Sequence, residues 1–364
     1  MKAGASLINS NGDVTVRRAR GDQRVETQFG RIQVNRIVGS VNAVNNNGDV
    51  NISEVTGNVT ARGKFGAMDV QRVSGTVDVQ NGNQSVMVID VGGRTTIGTS
   101  FGGVTATRIK ADVVVRNDNG AVDLTEIAGS ADVTTKFGNV RFAKIGRGLL
   151  VRNDNGAVEG HDTGAGATVV SSFGPVRLTD IQGDVSVKND NGAISVSTVS
   201  GGANLRTKFG SIDASGVRNP VVAVNDNGSV TITDAQSGVT ASSKFAGVKL
   251  VRVAGPVDVT NDNGGITALG LRRANPKVCE PIRMSTKFSA IKVEIPPGAD
   301  YDLDATTKFG GIHSDVTVSS QGERKEHALI GKIGLGGCEL RLTNDKGGIH
   351  ISAAQNESPA RAPR

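Results

Sequence analysis

The chain has 364 residues, 41 basic and 35 acidic side chains, a formal net charge of +6, and 49 glycines but only 9 prolines and 2 cysteines. Two cysteines are too few for a disulfide-built scaffold, no apolar run is long enough to span a bilayer as a helix, and the lack of any Lys/Arg-rich run speaks against specific nucleic-acid recognition. The mild positive excess permits contact with acidic polymers or an anionic surface without requiring it.

The apolar residues are dominated by Val and Ile, which favour strands. The first residues, MKAGASLINSN, lack the apolar core of a signal peptide. Two locations are therefore expected: the cytoplasm, or the cell envelope and extracytoplasmic space with an N-terminal anchor absent from this chain.

From residue 12 onward glycine recurs every 18 residues, at Gly12, Gly30, Gly48, Gly66, Gly102, Gly120, Gly138, Gly156, Gly174, Gly192, Gly210, Gly228 and Gly264. Gln84 and Ala246 occupy the two remaining points of the grid. A repeat without insertions is the signature of a solenoid, in which each coil buries its apolar face only against its neighbours. With the grid residue as position 0, position −1 alternates between Asn, as at Asn47, Asn119 and Asn155, and Phe, as at Phe29, Phe65, Phe101, Phe137 and Phe173. The full period is thus 36, with two unlike coils.

Within a coil the apolar positions are +2, +4, +7, +11 and +13: Val140, Phe142, Ile145, Leu149 and Val151 in one example. Steps of two are strand periodicity, and the steps of three and four are corners. No window keeps the i, i+3, i+4, i+7 spacing of an amphipathic helix. The predicted fold is all-β: a parallel β-solenoid, right-handed by the bias of parallel crossovers, with three short strands per coil stacked at about 4.8 Å. Residues 1–271 form its regular part, about 15 coils.

Alternation from +13 sends positions −3 and −1 inward. Asn117, Asn153 and Asn189 at −3 would then form an internal amide ladder, and Phe at −1 would fill a corner of the core in every second coil. The alternative is an outward aromatic stripe for stacking sugars, its rings about 9.6 Å apart at two strand spacings. Position −2 faces out and alternates in charge through Asp118, Lys136 and Asp154, then Asp190 and Lys208. Such pairs between neighbouring coils favour the correct register. Arg116, Arg152 and Lys188 stand two residues before Asp118, Asp154 and Asp190 on the same face. This mixed-charge stripe is the candidate contact surface.

Catalytic signatures are missing. Asn-Asp-Asn-Gly lacks the further acidic ligands and closing Glu of a calcium loop. No Gly-x-Ser-x-Gly elbow or Walker motif occurs. His161, His313, His327 and His350 show no metal-ligand spacing. A non-enzyme without metal or cofactor is expected.

The grid breaks after Leu271, where residues 272–283 insert about seven residues. Residues 272–354 read as irregular solenoid coils and a cap, and 355–364 as a disordered tail. Met284–Phe288 and Ala305–Gly310 echo the Phe coil, Asn344–Ile349 echoes the Asn coil, and Gln321–His327 reads as a polar loop. Cys279 and Cys338 both fall here; a disulfide and a pair of buried thiols are both open.

The stretches Val293–Ala305, Gly310–Ile312, Ile330–Gly337 and Gly347–Ile351 resemble the end of a bacterial family of adhesin-labelled domains of unknown function, and the upstream coils resemble it too. The resemblance implies a parallel β-solenoid, often behind an N-terminal membrane segment in envelope proteins, and carries over no catalytic residue. The expected function is a non-catalytic, adhesin-like binding or scaffolding solenoid. Its partners would be surface glycans, envelope polymers or other proteins. The alternatives are a cytosolic self-assembling scaffold similar in kind to bactofilins, associating end to end through the coil at Leu7–Gly12, and a polysaccharide-acting enzyme.

Overall fold

The computed structural model describes residues 4–275, 277–320 and 326–354. The first part of the polar loop and the tail after 354 lie outside the described residues. Among the described residues all regular elements are strands, and no helix is long and apolar enough to cross a membrane. The chain divides into two compact units, residues 1–183 and 184–364. The break in the grid lies within the second.

Each unit is a parallel solenoid with two sheets and a pairing register of 18 residues, as in Asn117↔Thr135 on one sheet and Val122↔Val140 on the other. A coil therefore has two strands, not three. Val113–Asn119 and Val122–Ile127 are one such pair. Position +7, which the spacing made a strand of its own, ends the second strand in coils such as Val122–Ile127 and follows it closely in later ones such as Val230–Thr233. The residue at +6 turns left-handed, as at Glu54, Glu126 and Lys144 with φ of 57° each. That local twist reverses the alternation and returns +7 to the core, where Val55, Ile127 and Ile145 are buried. A left-handed non-glycine residue costs on the order of 1–2 kcal/mol. Burying a Val or Ile contributes about 1.5–3 kcal/mol, so the exchange favours the bend. The core lies between the sheets and consists of +2, +4 and +7 from one and +11 and +13 from the other.

After Leu271 the insertion shifts the register: Val257 pairs with Ile282, 25 residues on. The end of the chain is then assembled out of order. Residues 282–295 add a Phe-type coil. Tyr301–Thr307 and Ile312–Ser314 build a second Phe-type coil one place further along. Glu339–Asn344 and Ile349–Ala353 slot between them, pairing in parallel with both neighbours. The order Phe, Phe, Asn in sequence thereby becomes Phe, Asn, Phe in space. Ala328–Ile333 runs antiparallel along Tyr301–Thr307 and covers its edge, as an exposed sheet edge requires. Cys279 and Cys338 are joined, with Cα atoms 5.3 Å apart.

Candidate functional site

The corner at position 0 explains the two signature columns. Asn at −3 points inward, as expected. Asn45 Nδ2 donates to the carbonyls of Gly30 and Gly48 at 2.9 and 2.8 Å, and Asn153 to those of Gly138 and Gly156 at 3.1 Å each. In some Phe coils a Thr hydroxyl does the same work, as Thr207 to Gly192 and Phe209 at 3.2 Å each, whereas the buried hydroxyls of Thr99 and Thr135 make no such bond. These side chains satisfy carbonyls that would otherwise be buried without partners.

The Phe column is the main correction. The chain turns at the corner, and the side chain at −1 faces out whatever stands at −3: Phe65 is 56% exposed although Gly63 holds −3 in its coil. In the first unit Phe29, Phe65, Phe101, Phe137 and Phe173 are 51–56% exposed. In the second, Phe209, Phe245, Phe288 and Phe309 are 50–75% exposed. Phe29, Phe65, Phe101 and Phe137 are each flanked in register by Asn of both adjacent coils, as Phe137 by Asn119 and Asn155. Asn side chains at −1 tie back to the preceding coil: Asn83 Nδ2 donates to the Lys64 carbonyl at 3.2 Å, and Asn263 to that of Lys244 at 2.9 Å. One neighbour departs from the pattern: Lys346 holds the Asn position and sets its ammonium 4.7 Å from the centre of the Phe288 ring. A repeated row of large exposed rings is the sort of surface that marks an interaction site.

The charged column at −2 runs beside the rings. Asp118 and Lys136 pair at 2.8 Å, Asp190 and Lys208 at 3.0 Å, and Asp226 and Lys244 at 2.8 Å. The Asp118 carboxylate, with Asp154 further off, raises the Lys136 pKa; Asp226 does the same for Lys244. The pattern survives the out-of-order end, where Lys287 meets Asp262 at 2.7 Å and Lys308 meets Asp345 at 2.9 Å. Arg116 and Arg152 do not join Asp118 and Asp154. They reach instead to Asp132, at 3.1 and 3.5 Å, and Asp132 was not among the residues singled out in the sequence. Lys188 and Asp154 are exposed.

A second charged column at +6 also escaped the sequence reading. Glu54 lies between Arg36 at 3.0 Å and Arg72 at 3.3 Å, and Asp234 meets Arg252 at 2.7 Å. The alternation Arg36, Glu54, Arg72, Asp90, Arg108, Glu126, Lys144 was on view in the sequence. The apolar spacing places +6 inside a corner, where strand alternation gives no side-chain column. Nor are the histidines all scattered: His313 and His350 converge on Asp315. The imidazoles, His350 first, hold its carboxyl below the usual range. In the coil expected to associate end to end, Leu7 and Ile8 are exposed.

No curated protein and no solved structure matches the chain. Residues 175–352, just under half of it, match the family model described as Toastrack DUF4097, a domain of unknown function, while the preceding coils lie outside the match although they carry the same 18-residue register.

Proposed function

We propose that this solenoid is a non-catalytic, adhesin-like binding scaffold of the cell envelope, and that its aromatic columns are the faces that engage an extended glycan polymer. The observation that carries the reading is the Phe ladder. Rings recur in every second coil, about 9.6 Å apart, half-exposed on a rigid parallel stack and framed by Asn amides. An apolar ring face flanked by amide donors and acceptors suits sugar rings, which offer C–H faces and hydroxyl edges. The charged column argues the same way against proton-transfer chemistry. Its carboxylates are mostly matched to a cation on the adjacent coil, which holds register and leaves no pair of unmatched carboxyls for general acid and base roles.

The test is binding of the full chain to a panel of cell-surface and envelope polysaccharides, followed by the triple variant Phe101→Ala, Phe137→Ala, Phe173→Ala. At about 1 kcal/mol for each truncated ring, the triple variant is expected to bind roughly a hundredfold more weakly. Binding unchanged in that variant would remove the ladder as the contact face. Release of shortened sugars would replace the scaffold reading with an enzymatic one.

A further inference from the structure

His313 and His350 lie far apart in the chain, yet both stand at +3 of their coils. The interposed last coil brings their strands side by side, and the parallel register places His313 directly opposite His350. Asp315 follows His313 by two residues and is held by its own N–H, which donates to the Ile351 carbonyl at 2.8 Å. Both imidazole Nε2 atoms reach this carboxylate, His313 to Oδ1 and His350 to Oδ2, each at 2.8 Å. The rings meet edge to face with centroids 5.0 Å apart. One ligand atom from each of the three residues lies within 4.8 Å of the others, and all three side chains are exposed.

We propose that His313, Asp315 and His350 form a binding site for a divalent transition-metal cation of the Zn2+ class. The donors are two imidazole nitrogens and a carboxylate oxygen, the set that suits zinc, whereas calcium and magnesium favour all-oxygen cages. Metal–ligand bonds of about 2.0–2.2 Å in a tetrahedron require donor atoms about 3.3–3.5 Å apart. The present N–O distances of 2.8 Å would open slightly, and the imidazole nitrogens, which lie within 4.8 Å of each other, would draw together, a small adjustment for exposed side chains. The protons now on Nε2 move to Nδ1 by tautomer exchange, so each neutral ring offers a lone pair without any change of redox state. The fourth position faces solvent and is open to water. Lys292 is paired in register with His350 on its other side, and its charge opposes the cation, which the Asp315 carboxylate offsets. A bound ion would tie the last coil, residues 339–353, to the coil built before it, residues 301–314.

The test is calorimetric titration of the full chain with Zn2+ at neutral pH, with Co2+ absorption as an independent report of nitrogen coordination. One ion per chain is expected, together with a higher melting temperature when Zn2+ is present. His313→Ala, His350→Ala and Asp315→Asn are each expected to weaken binding by tenfold or more, while His161→Ala, in the first unit, leaves it unchanged. Melting temperatures of the variants without metal check that each still folds. Absence of saturable binding, binding that survives His350→Ala, or loss on His161→Ala would each overturn the site.

Discussion

The coils up to Asn191 and those from Ala203 onward carry the same repeat but turn the same corner in two ways. In the earlier coils the strand runs through position −1, as in Val113–Asn119, and the grid N–H donates onward, Gly120 to the Phe137 carbonyl at 2.8 Å. In the later coils the strand stops at −3, as in Val221–Asn225. Residues −2 and −1 then donate backward, Lys208 and Phe209 both to the Asp190 carbonyl. The grid N–H is taken over by a side chain: Gly228 and Gly264 donate to Asn225 and Asn261 Oδ1, each at 2.9 Å. Identical tetrapeptides adopt both forms, Asn-Asp-Asn-Gly at 117–120 and 225–228, and Thr-Lys-Phe-Gly at 135–138 and 207–210. Local sequence therefore does not select the corner. Each corner bonds to the coil beside it, so a coil must take the form its neighbour can accept, and the choice propagates along the stack as nearest-neighbour coupling in a solenoid should.

The largest expected contrast comes from the end of the second region, where coils are placed out of order and one disulfide spans 59 residues. Closing a loop of that length contributes about 2–4 kcal/mol. Reduction, or Cys279→Ser, is expected to accelerate amide exchange across 282–353 and leave the first unit unchanged. Tyr301 is the chain's only tyrosine, and burial pushes its pKa up to about 12. The neutral phenol is the form folding favours. Stability of this region should therefore fall as pH rises from about 10 toward 12. Ultraviolet titration of the phenol should move toward the ordinary value if reduction opens the region.

Next in size is the grid position. Gly120 has φ of 137°, and a Cβ there would meet the Gly102 carbonyl oxygen at 2.3 Å. Gly120→Ala is expected to cost at least about 1–3 kcal/mol from the backbone conformation alone. Ala246, at the same position of the later form, is not left-handed, and Ala246→Gly should cost only about 0.4–1 kcal/mol through chain entropy. Equal costs in urea unfolding would mean that the two corners make the same demand. A smaller difference is expected at −3. Asn261→Ala strands the Gly264 N–H and the Ala246 carbonyl, at about 1–3 kcal/mol per buried group. Asn117→Ala removes contacts to two carbonyls only, while its own Oδ1 already lacks a partner. The later-form variant should therefore be the less stable of the two.

The repeat made the fold legible because a period without insertions fixes register by itself. The inward Asn column was legible too, since a buried amide at a turn has obvious carbonyls to bind. Phe101 and its equivalents were not. Strand alternation predicts an inward ring, and the turn of the backbone at the corner reverses that even at Phe65, where Gly63 offers no competing side chain. The strand count failed for a related reason: a left-handed residue at +6, which alternation cannot represent, makes one bent strand look like two. His313 and His350 were hidden by connectivity, because the coil that joins them is inserted out of sequence order.

The smallest effect expected concerns the charged column, and it separates register from stability. Lys136 pairs with Asp118, and Asp154 lies on its far side. Lys136→Glu would line three carboxylates along one column. Because the groups are well exposed, the loss should be small and should shrink further as salt rises. The reversal Asp118→Lys together with Lys136→Glu restores that pair and recovers part of the loss, while leaving the introduced carboxylate beside Asp154. The same single reversal at Lys244, between Asp226 and Asp262, should cost about as much, because the side-chain column is spaced by the coils and not by the corner form. A salt-insensitive loss, or a clear difference between Lys136→Glu and Lys244→Glu, would show that the corner changes how the column is held.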